Sequence, residues 1–190
     1  MLLVWLSARG KLSAFMNFVF FVSFFLFVVL FDAMFSPSLY SGQKLPFSDL
    51  FSGSSIYFAV FGIFLSNLFL SAFAIVTLPG FAFFPFSTGF LVFRSFVWGL
   101  LFYQQPEWVF VAAVPTLVLE GEAYCIAAVC GTVVGASWVK SRLVFGEEKL
   151  TRIESVKKAL KESVGLYVWI ILLLFVAAII ETATLVIISE

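Results

Sequence analysis

The stretch from Pro115 to Trp138 constrains the fold more than any other part of the chain. Its 24 residues are enough to cross a bilayer, yet they include two acids, Glu120 and Glu122. A carboxylate in hydrocarbon is unfavourable, by about 2.5 kcal/mol or more at the centre of a membrane helix. The stretch also carries small residues at helical spacing, which let a second helix approach closely; these are Ala123, Ala127, Gly131 and Gly135. We therefore expect a buried helix with this ladder as a helix-packing or dimer face.

The composition places the chain in a membrane. Of its 190 residues, 63% are hydrophobic and 12% are charged, whereas a soluble domain is about half apolar and a quarter charged. The 11 basic and 11 acidic residues balance, so no basic excess indicates a nucleic-acid partner. The chain has no histidine, which removes the commonest general base and the commonest metal ligand. We expect no catalytic residue, no metal site, no cofactor and no enzymatic activity.

Apolar runs predict an all-α, polytopic transmembrane helical bundle with about five spans in a single membrane domain. A crossing needs about 20 apolar residues. The first run is longer than the hydrophobic region of a signal peptide, so we interpret it as an uncleaved first span. The predicted spans are residues 12–35, 56–78, 87–103, 115–138 and 164–188.

Two short apolar segments leave the exact path of the chain open. Joined to the fourth span, Trp108–Val114 would make a helix too long for the hydrocarbon core, so we predict a break or kink near Pro115. Either this segment or the uncharged turn Pro79–Phe86 is a candidate re-entrant segment. The polar connection over residues 36–55 is either an interfacial segment, with a short turn capped by Ser48 or Asp49, or an ordinary loop.

A strongly charged segment near the C-terminal third predicts a cytoplasmic amphipathic helix over residues 147–163. Its apolar residues share one helical face; they are Leu150, Ile153, Val156, Leu160 and Val164. The helix is either a solvated lead-in to the last span or a docking surface for a cytoplasmic protein or anionic lipid. By the positive-inside rule the basic segment and the N-terminus are cytoplasmic. Five spans then place the C-terminus outside the cell membrane.

The second span carries a polar residue near mid-membrane. At helical spacing, Asn67 shares one face with Ser71 and Ala74. The Asn67 side chain either forms an interhelical hydrogen bond, worth about 0.6–2 kcal/mol, or contacts a substrate.

The predicted topology brings several polar residues to a similar depth. Arg94, Glu120 and Glu181 fall in the outer half of the bilayer, and Trp98 is placed to stack on Arg94. Glu122 points about 200° away from Glu120 on an ideal helix and faces another helix or a partner subunit. One arginine against three acids predicts a protonated acid, a cation or water nearby. The residues of this buried polar network, or ion or substrate site, are Asn67, Arg94, Thr116, Glu120, Glu122 and Glu181.

These residues resemble the stage II sporulation protein M-like family of integral membrane proteins over about residues 55–185. That family has a Pro-His-Gly-x-x-Glu motif before an Ala/Gly-rich helix, and here Pro115 to Glu120 stand in its place, with Thr116 and Leu117 departing from it. Asn67 in FLSNLFL and the Ala177-Ala178-x-x-Glu181 pattern also match. The resemblance implies an all-helical multi-pass protein. The family's namesake takes part in a membrane complex with cell-wall remodelling proteins during spore engulfment.

Two functions from different classes remain as hypotheses. The first is a non-enzymatic scaffold or assembly component of a membrane complex, as a homodimer with a cytoplasmic partner at the 147–163 helix. The second is a small ion- or proton-coupled transporter that uses the buried Glu and Arg residues, although no inverted repeat is visible. An intramembrane enzyme is a third class that no residue pattern supports.

Overall fold

The computed structural model describes residues 2–35, 56–103, 105–146 and 150–189, and every regular element within them is a helix. Five of the helices are long and apolar enough to cross a membrane, as the sequence predicts. The predicted interfacial segment over 36–55 lies outside the described residues. The helices are α1 (Leu2–Met34), α2 (Ile56–Ala82), α3 (Pro85–Phe102), α4 (Glu107–Val139), α5 (Ser141–Phe145) and α6 (Arg152–Ser189).

Helix α4 is the centre of the bundle. In its most apolar window 78% of the residues are buried, against 22% to 33% in the other four spans. Helices α1, α2, α3 and α6 all pack against it. The small residues of α4 account for this position, because they let the neighbouring backbones approach closely.

Helix α4 runs through Pro115 without interruption, so of the predicted break or kink the break is wrong. The helix has 33 residues, or about 50 Å at 1.5 Å per residue. Trp108–Val114 belongs to this helix and is not a re-entrant segment. Proline removes one backbone N–H, which membrane helices tolerate where neighbouring helices surround the site. A helix longer than the hydrocarbon core is accommodated by tilting or by projecting beyond it.

The segment Pro79–Phe86 forms the tight connection between α2 and α3. Helix α2 continues to Ala82 and α3 begins at Pro85, so only Phe83 and Phe84 lie between them. Pro85 suits the first position of a helix, where its missing N–H is not needed. The segment is therefore a tight hairpin turn between two consecutive helices.

The middle of α2 is π-helical from Ser66 to Thr77. In a π-helix the backbone bonds span five residues, so each turn is wider than in an α-helix. The predicted face with Ala74 is therefore wrong, since Ala74 is exposed. The buried residues follow separations of four or five; they are Asn67, Leu68, Ser71, Ala72, Val76 and Thr77.

The small-residue ladder of α4 packs against the hairpin formed by α2 and α3. A Cβ on Gly131 would overlap the Ser87 hydroxyl and lie 2.7 Å from the Thr77 carbonyl oxygen. On Gly135 it would overlap the Gly80 carbonyl oxygen and lie 3.0 Å from the backbone nitrogen of Phe84. The other two ladder residues, Ala123 and Ala127, are fully buried. The chain's own helices thus cover this face, which leaves no room there for a second copy.

Helix α6 joins the predicted amphipathic helix and the last span into one element of 38 residues. Thr151 and Glu154 form a capping box at its start: the Thr151 backbone N–H donates to the Glu154 carboxylate at 2.9 Å, and the Glu154 N–H donates back to the Thr151 hydroxyl at 3.3 Å. The helix therefore begins at Arg152 and not at residue 147.

Over the first turns of α6, up to Ser163, the face that packs into the bundle is made of small residues. Ser155, Ala159 and Ser163 are buried. The predicted apolar face lies on the outside, since Ile153 is 63% exposed and Val164 is 70% exposed. Small residues pack inward because they allow close approach to α4, which leaves the larger apolar residues for lipid or a partner.

Candidate functional site

Glu120 is the centre of a buried polar network. Its side chain is only 4% exposed. The Asn67 side-chain amide of α2 donates to one carboxylate oxygen, Oε1. The hydroxyl of Tyr124, one turn further along α4, donates to the other oxygen, Oε2, at 3.2 Å. Both oxygens of this carboxylate therefore accept hydrogen bonds from residues within the bundle.

Arg94 of α3 contacts the two residues that hold Glu120. Its Nη2 donates to the Tyr124 hydroxyl at 3.2 Å and to the side-chain oxygen of Asn67 at 3.5 Å. The guanidinium carbon also lies 5.2 Å from the centre of the Tyr124 ring and 5.9 Å from that of Trp98. These are cation–π distances, and the Trp98 contact is the one expected at spacing i+4. Arg94 and Glu120 are thus connected through Asn67 and Tyr124.

Aromatic residues of α1 fix the rings beneath this network. Phe20 is fully buried and packs edge-on against Trp98, with ring centres 5.2 Å apart. It also packs against Tyr124 at 6.4 Å. Edge-to-face pairs at these distances are favourable beyond the area that they bury. The packing holds the Tyr124 hydroxyl where it reaches both Arg94 and Glu120.

Glu181 brings α6 into the network. Its carboxyl group interacts electrostatically with that of Glu120 and with the guanidinium of Arg94. The network therefore joins α2, α3, α4 and α6.

Two predicted residues of α4 stand apart from these contacts. Glu122 accepts a hydrogen bond from the side-chain amide of Asn17 in α1 at 3.4 Å, so it faces another helix as expected. Thr116 is 8% exposed, and its hydroxyl has no hydrogen-bond partner in the part of the chain that the structure describes.

A second polar cluster lies on the side of the bundle nearer the α2–α3 turn. The Thr77 hydroxyl donates towards the Ala127 carbonyl oxygen at 3.0 Å and the Ala72 carbonyl oxygen at 2.9 Å. The Tyr167 hydroxyl of α6 donates to Thr77 at 2.6 Å. The cluster links α2, α4 and α6 through neutral groups alone.

Sequence reasoning missed Tyr124, Asn17 and the Thr77–Tyr167 pair. Tyr124 was recognisable from its position four residues after Glu120, since residues at this spacing share a helix face. Asn17 and Tyr167 gave no such signal, because their partners are distant in the sequence. The network offers one guanidinium, carboxyl groups, an amide and a phenol. Across residues 2–35, 56–103, 105–146 and 150–189, no three Cys, Asp or Glu side chains lie together in a way that could hold a metal ion.

Five apolar helices around a buried polar network define a multi-pass helical membrane protein. Comparison with protein families agrees, since the model of the family described as Stage II sporulation protein M matches residues 14–184. The chain belongs to this family, as the motifs around Asn67, Glu120 and Glu181 indicated. No curated protein matches the chain. No solved structure matches it either.

Proposed function

We propose that this protein is a non-enzymatic scaffold or assembly component of a complex in the cell membrane. One observation carries the proposal. Both carboxylate oxygens of Glu120 are occupied by Asn67 and Tyr124, and the same two residues hold Arg94. Polar groups that satisfy one another across helices fix the positions of those helices in lipid. Such a network supports a bundle with a fixed shape, which is what an assembly platform needs.

The start of α6 is the surface that we assign to a cytoplasmic protein partner. Ile153 and Leu160 are exposed there, beside the exposed Lys157 and Lys161. The basic residues support a cytoplasmic position, with the N-terminus also cytoplasmic and the C-terminus outside. A photo-crosslinking residue at Ile153 is expected to capture a protein in whole cells. The same residue at Val176, on the lipid-facing part of α6, is the control and is expected to capture none.

We also propose that the protein is a homodimer. Because α2 and α3 cover the small-residue ladder, a second copy must use a different face. Light scattering of the protein in detergent is expected to give twice the mass of one chain. A single-chain mass would contradict this part of the proposal.

A small ion- or proton-coupled transporter is the second candidate. The meeting of Glu120 and Glu181 beside Arg94 favours it, because ionisable residues within a membrane often mark ion pathways. On this hypothesis the carboxyl groups exchange an ion or proton during transport.

Flux measurements in proteoliposomes distinguish the two candidates. For a scaffold, vesicles with wild-type protein are expected to pass protons, sodium and potassium no faster than empty vesicles. A transporter would give wild-type flux that is lost in Glu120→Gln and in Glu181→Gln. Glu122→Gln is the matched control, since Glu122 lies outside the network and faces α1. Flux that survives in this control and disappears in the other two variants would overturn the scaffold proposal.

A further inference from the structure

Hydrogen bonds fix the relative levels of α4 and α6 near the α2–α3 turn. The Cys130 thiol of α4 lies 4.0 Å from the Ser163 carbonyl oxygen of α6. Three residues earlier on α4 and four residues later on α6, Ala127 and Tyr167 both bond to the Thr77 hydroxyl. The two helices are therefore antiparallel, and each step forward along α4 matches a step back along α6.

The α2–α3 turn lies level with three lysines at the start of α6. The backbone nitrogen of Phe84 in this turn is 3.0 Å from the Cβ that a substitution would add to Gly135 of α4. Gly135 is five residues past the thiol contact with α6, or about 7.5 Å along the helix. The same step back along α6 reaches Lys158. Lys157 and Lys161 therefore lie within about one helical turn of this level.

The residues at this level are those of a boundary between hydrocarbon and lipid headgroups. The α2–α3 turn contains no charged residue, and its Phe83 and Phe86 are about half exposed. Trp138, near the end of α4, is also exposed, and tryptophan is enriched where a membrane meets water. Charged residues begin directly after it, at Lys140 and Arg142.

The charge at this end of the bundle is positive. Residues 140–163 include seven basic residues and four acids, and one of the acids, Glu154, is bound in the capping box of α6. The stacking of aromatic rings of α1 and α4 places the last turns of α1 beside the first turns of α4, at the opposite end. Among the described residues, the exposed charges at that end are Asp32 and Glu107, both acidic. Anionic lipid headgroups complement the basic end and not the acidic one.

We propose that Lys157 and Lys161 bind the headgroup of an anionic phospholipid, in the leaflet that meets this end of the bundle. Both residues are exposed and lie one turn apart, so their side chains are neighbours on one face of α6. Lysines next to a membrane span attract anionic lipids. Val164 and Val168 continue the same face into the span and are 70% and 55% exposed. This face therefore offers ammonium groups for the headgroup and apolar side chains for an acyl chain of one lipid molecule.

The lipid site goes beyond the proposed function and does not depend on it, since a scaffold and a transporter would both carry the site. It also leaves the surface assigned to a protein partner free. Ile153 lies ten residues before Ser163, or about 15 Å by helical rise, which is twice the distance to the level of the α2–α3 turn. The two surfaces therefore lie at different depths.

Photolabelling in proteoliposomes tests the lipid site. The probes are phosphatidylglycerol and phosphatidylcholine, each with a photoactivatable group near the headgroup and each added in trace amount to a phosphatidylcholine bilayer. Mass spectrometry of the labelled peptides locates the sites. For the wild type we expect phosphatidylglycerol to label the start of α6 several-fold more than phosphatidylcholine does. The exposed start of α2, at the opposite end, is the internal control for reconstitution and is expected to be labelled equally by both.

Variants with altered charge separate the two lysines from the net charge of the chain. The double variant Lys157→Gln/Lys161→Gln is expected to lose the preference, and Lys157→Arg/Lys161→Arg is expected to keep it. Arg152→Gln is the matched control for the single variant Lys161→Gln, because each removes one exposed positive charge and Arg152 lies further from the level of the turn. We expect Lys161→Gln to weaken the preference and Arg152→Gln to leave it unchanged.

Three results would overturn the proposal. The first is equal labelling of the wild-type α6 by the two lipids. The second is a preference that survives in the double glutamine variant, and the third is an equal loss in Arg152→Gln and Lys161→Gln. If the first result were accompanied by capture of a protein in whole cells through a photo-crosslinking residue at position 161, the lysines would belong to the surface for the protein partner.

Discussion

Arg94 and Glu120 are connected through two neutral side chains, Asn67 and Tyr124. Asn67 donates to Glu120 and accepts from Arg94, and the Tyr124 hydroxyl does the same. Asn67 and Tyr124 each donate one of these hydrogen bonds and accept another. The loss of either residue therefore removes one hydrogen bond from Arg94 and one from Glu120. The arrangement helps to explain why the membrane core tolerates an arginine and a glutamate, since hydrogen bonds within the bundle link the two side chains.

Replacing Asn67 by alanine is expected to destabilise the bundle by about 1–3 kcal/mol, because the change leaves buried partners without a hydrogen bond. Unfolding by denaturant in detergent micelles measures the free energy. The neighbouring Ser66 is exposed, so Ser66→Ala is the control and is expected to change the free energy by less than about 0.5 kcal/mol. Equal effects of the two substitutions would mean that the Asn67 contacts contribute nothing.

Tyr124→Phe keeps the ring that packs on Phe20 and removes only the hydroxyl. We expect its effect on the free energy of unfolding to be non-additive with that of Asn67→Ala, because both residues form hydrogen bonds with the same two charged groups. A double-mutant cycle on the free energy of unfolding is expected to give a coupling of about 0.5–3 kcal/mol. A coupling of zero would show that the two connections act independently.

Gly135→Ala is expected to destabilise the protein by about 1–3 kcal/mol, as overpacking does in well-packed interiors. The added Cβ would meet backbone atoms of Gly80 and Phe84, which cannot rotate away. Gly89 provides the matched control, because no atom lies within 4 Å of the Cβ that alanine would add there. Gly89→Ala is expected to be neutral or stabilising by up to about 1 kcal/mol, from helix propensity. If Gly135→Ala were as mild, the close contact between α4 and the α2–α3 turn would be contradicted.

Tyr167→Phe removes the hydrogen bond from α6 to Thr77. Interhelical hydrogen bonds in membranes are worth about 0.6–2 kcal/mol, and a loss in this range is expected. Tyr57 is 74% exposed, so Tyr57→Phe serves as the control for removing a tyrosine hydroxyl. The thermal midpoint in detergent compares the two variants, and a larger loss for Tyr57→Phe would count against the Thr77–Tyr167 contact.

The fold followed from the lengths of the apolar runs, but the helix boundaries did not. The number of spans depends on bilayer thickness, which sets a simple length for each crossing. The continuity of α4 through Pro115 depends on its surroundings, which a sequence does not contain. The π-helical turns around Asn67 are equally non-local, since they place Asn67 against Glu120 and Thr77 against Ala127.

The candidate site was partly predictable from depth in the membrane. Counting residues from the ends of the spans placed Arg94, Glu120 and Glu181 at one level, and the structure brings them together. Tyr124 was missed because a tyrosine in an apolar run carries no charge to mark it. The outward direction of the apolar face at the start of α6 came from the structure alone, because apolar periodicity locates a face but does not say whether that face points into the protein.

The most direct test of the account is the access of water to the network. Ser71 is buried beside Tyr124, and Ser71→Cys changes only one atom. In a background with Cys125 and Cys130 replaced by alanine, we expect this thiol to resist a charged, water-soluble thiol reagent until the protein is unfolded in detergent. Glu107→Cys, at the exposed start of α4, is expected to react at once. Labelling of the folded Ser71→Cys variant at the rate of Glu107→Cys would reveal a water-filled passage and contradict the closed, structural network.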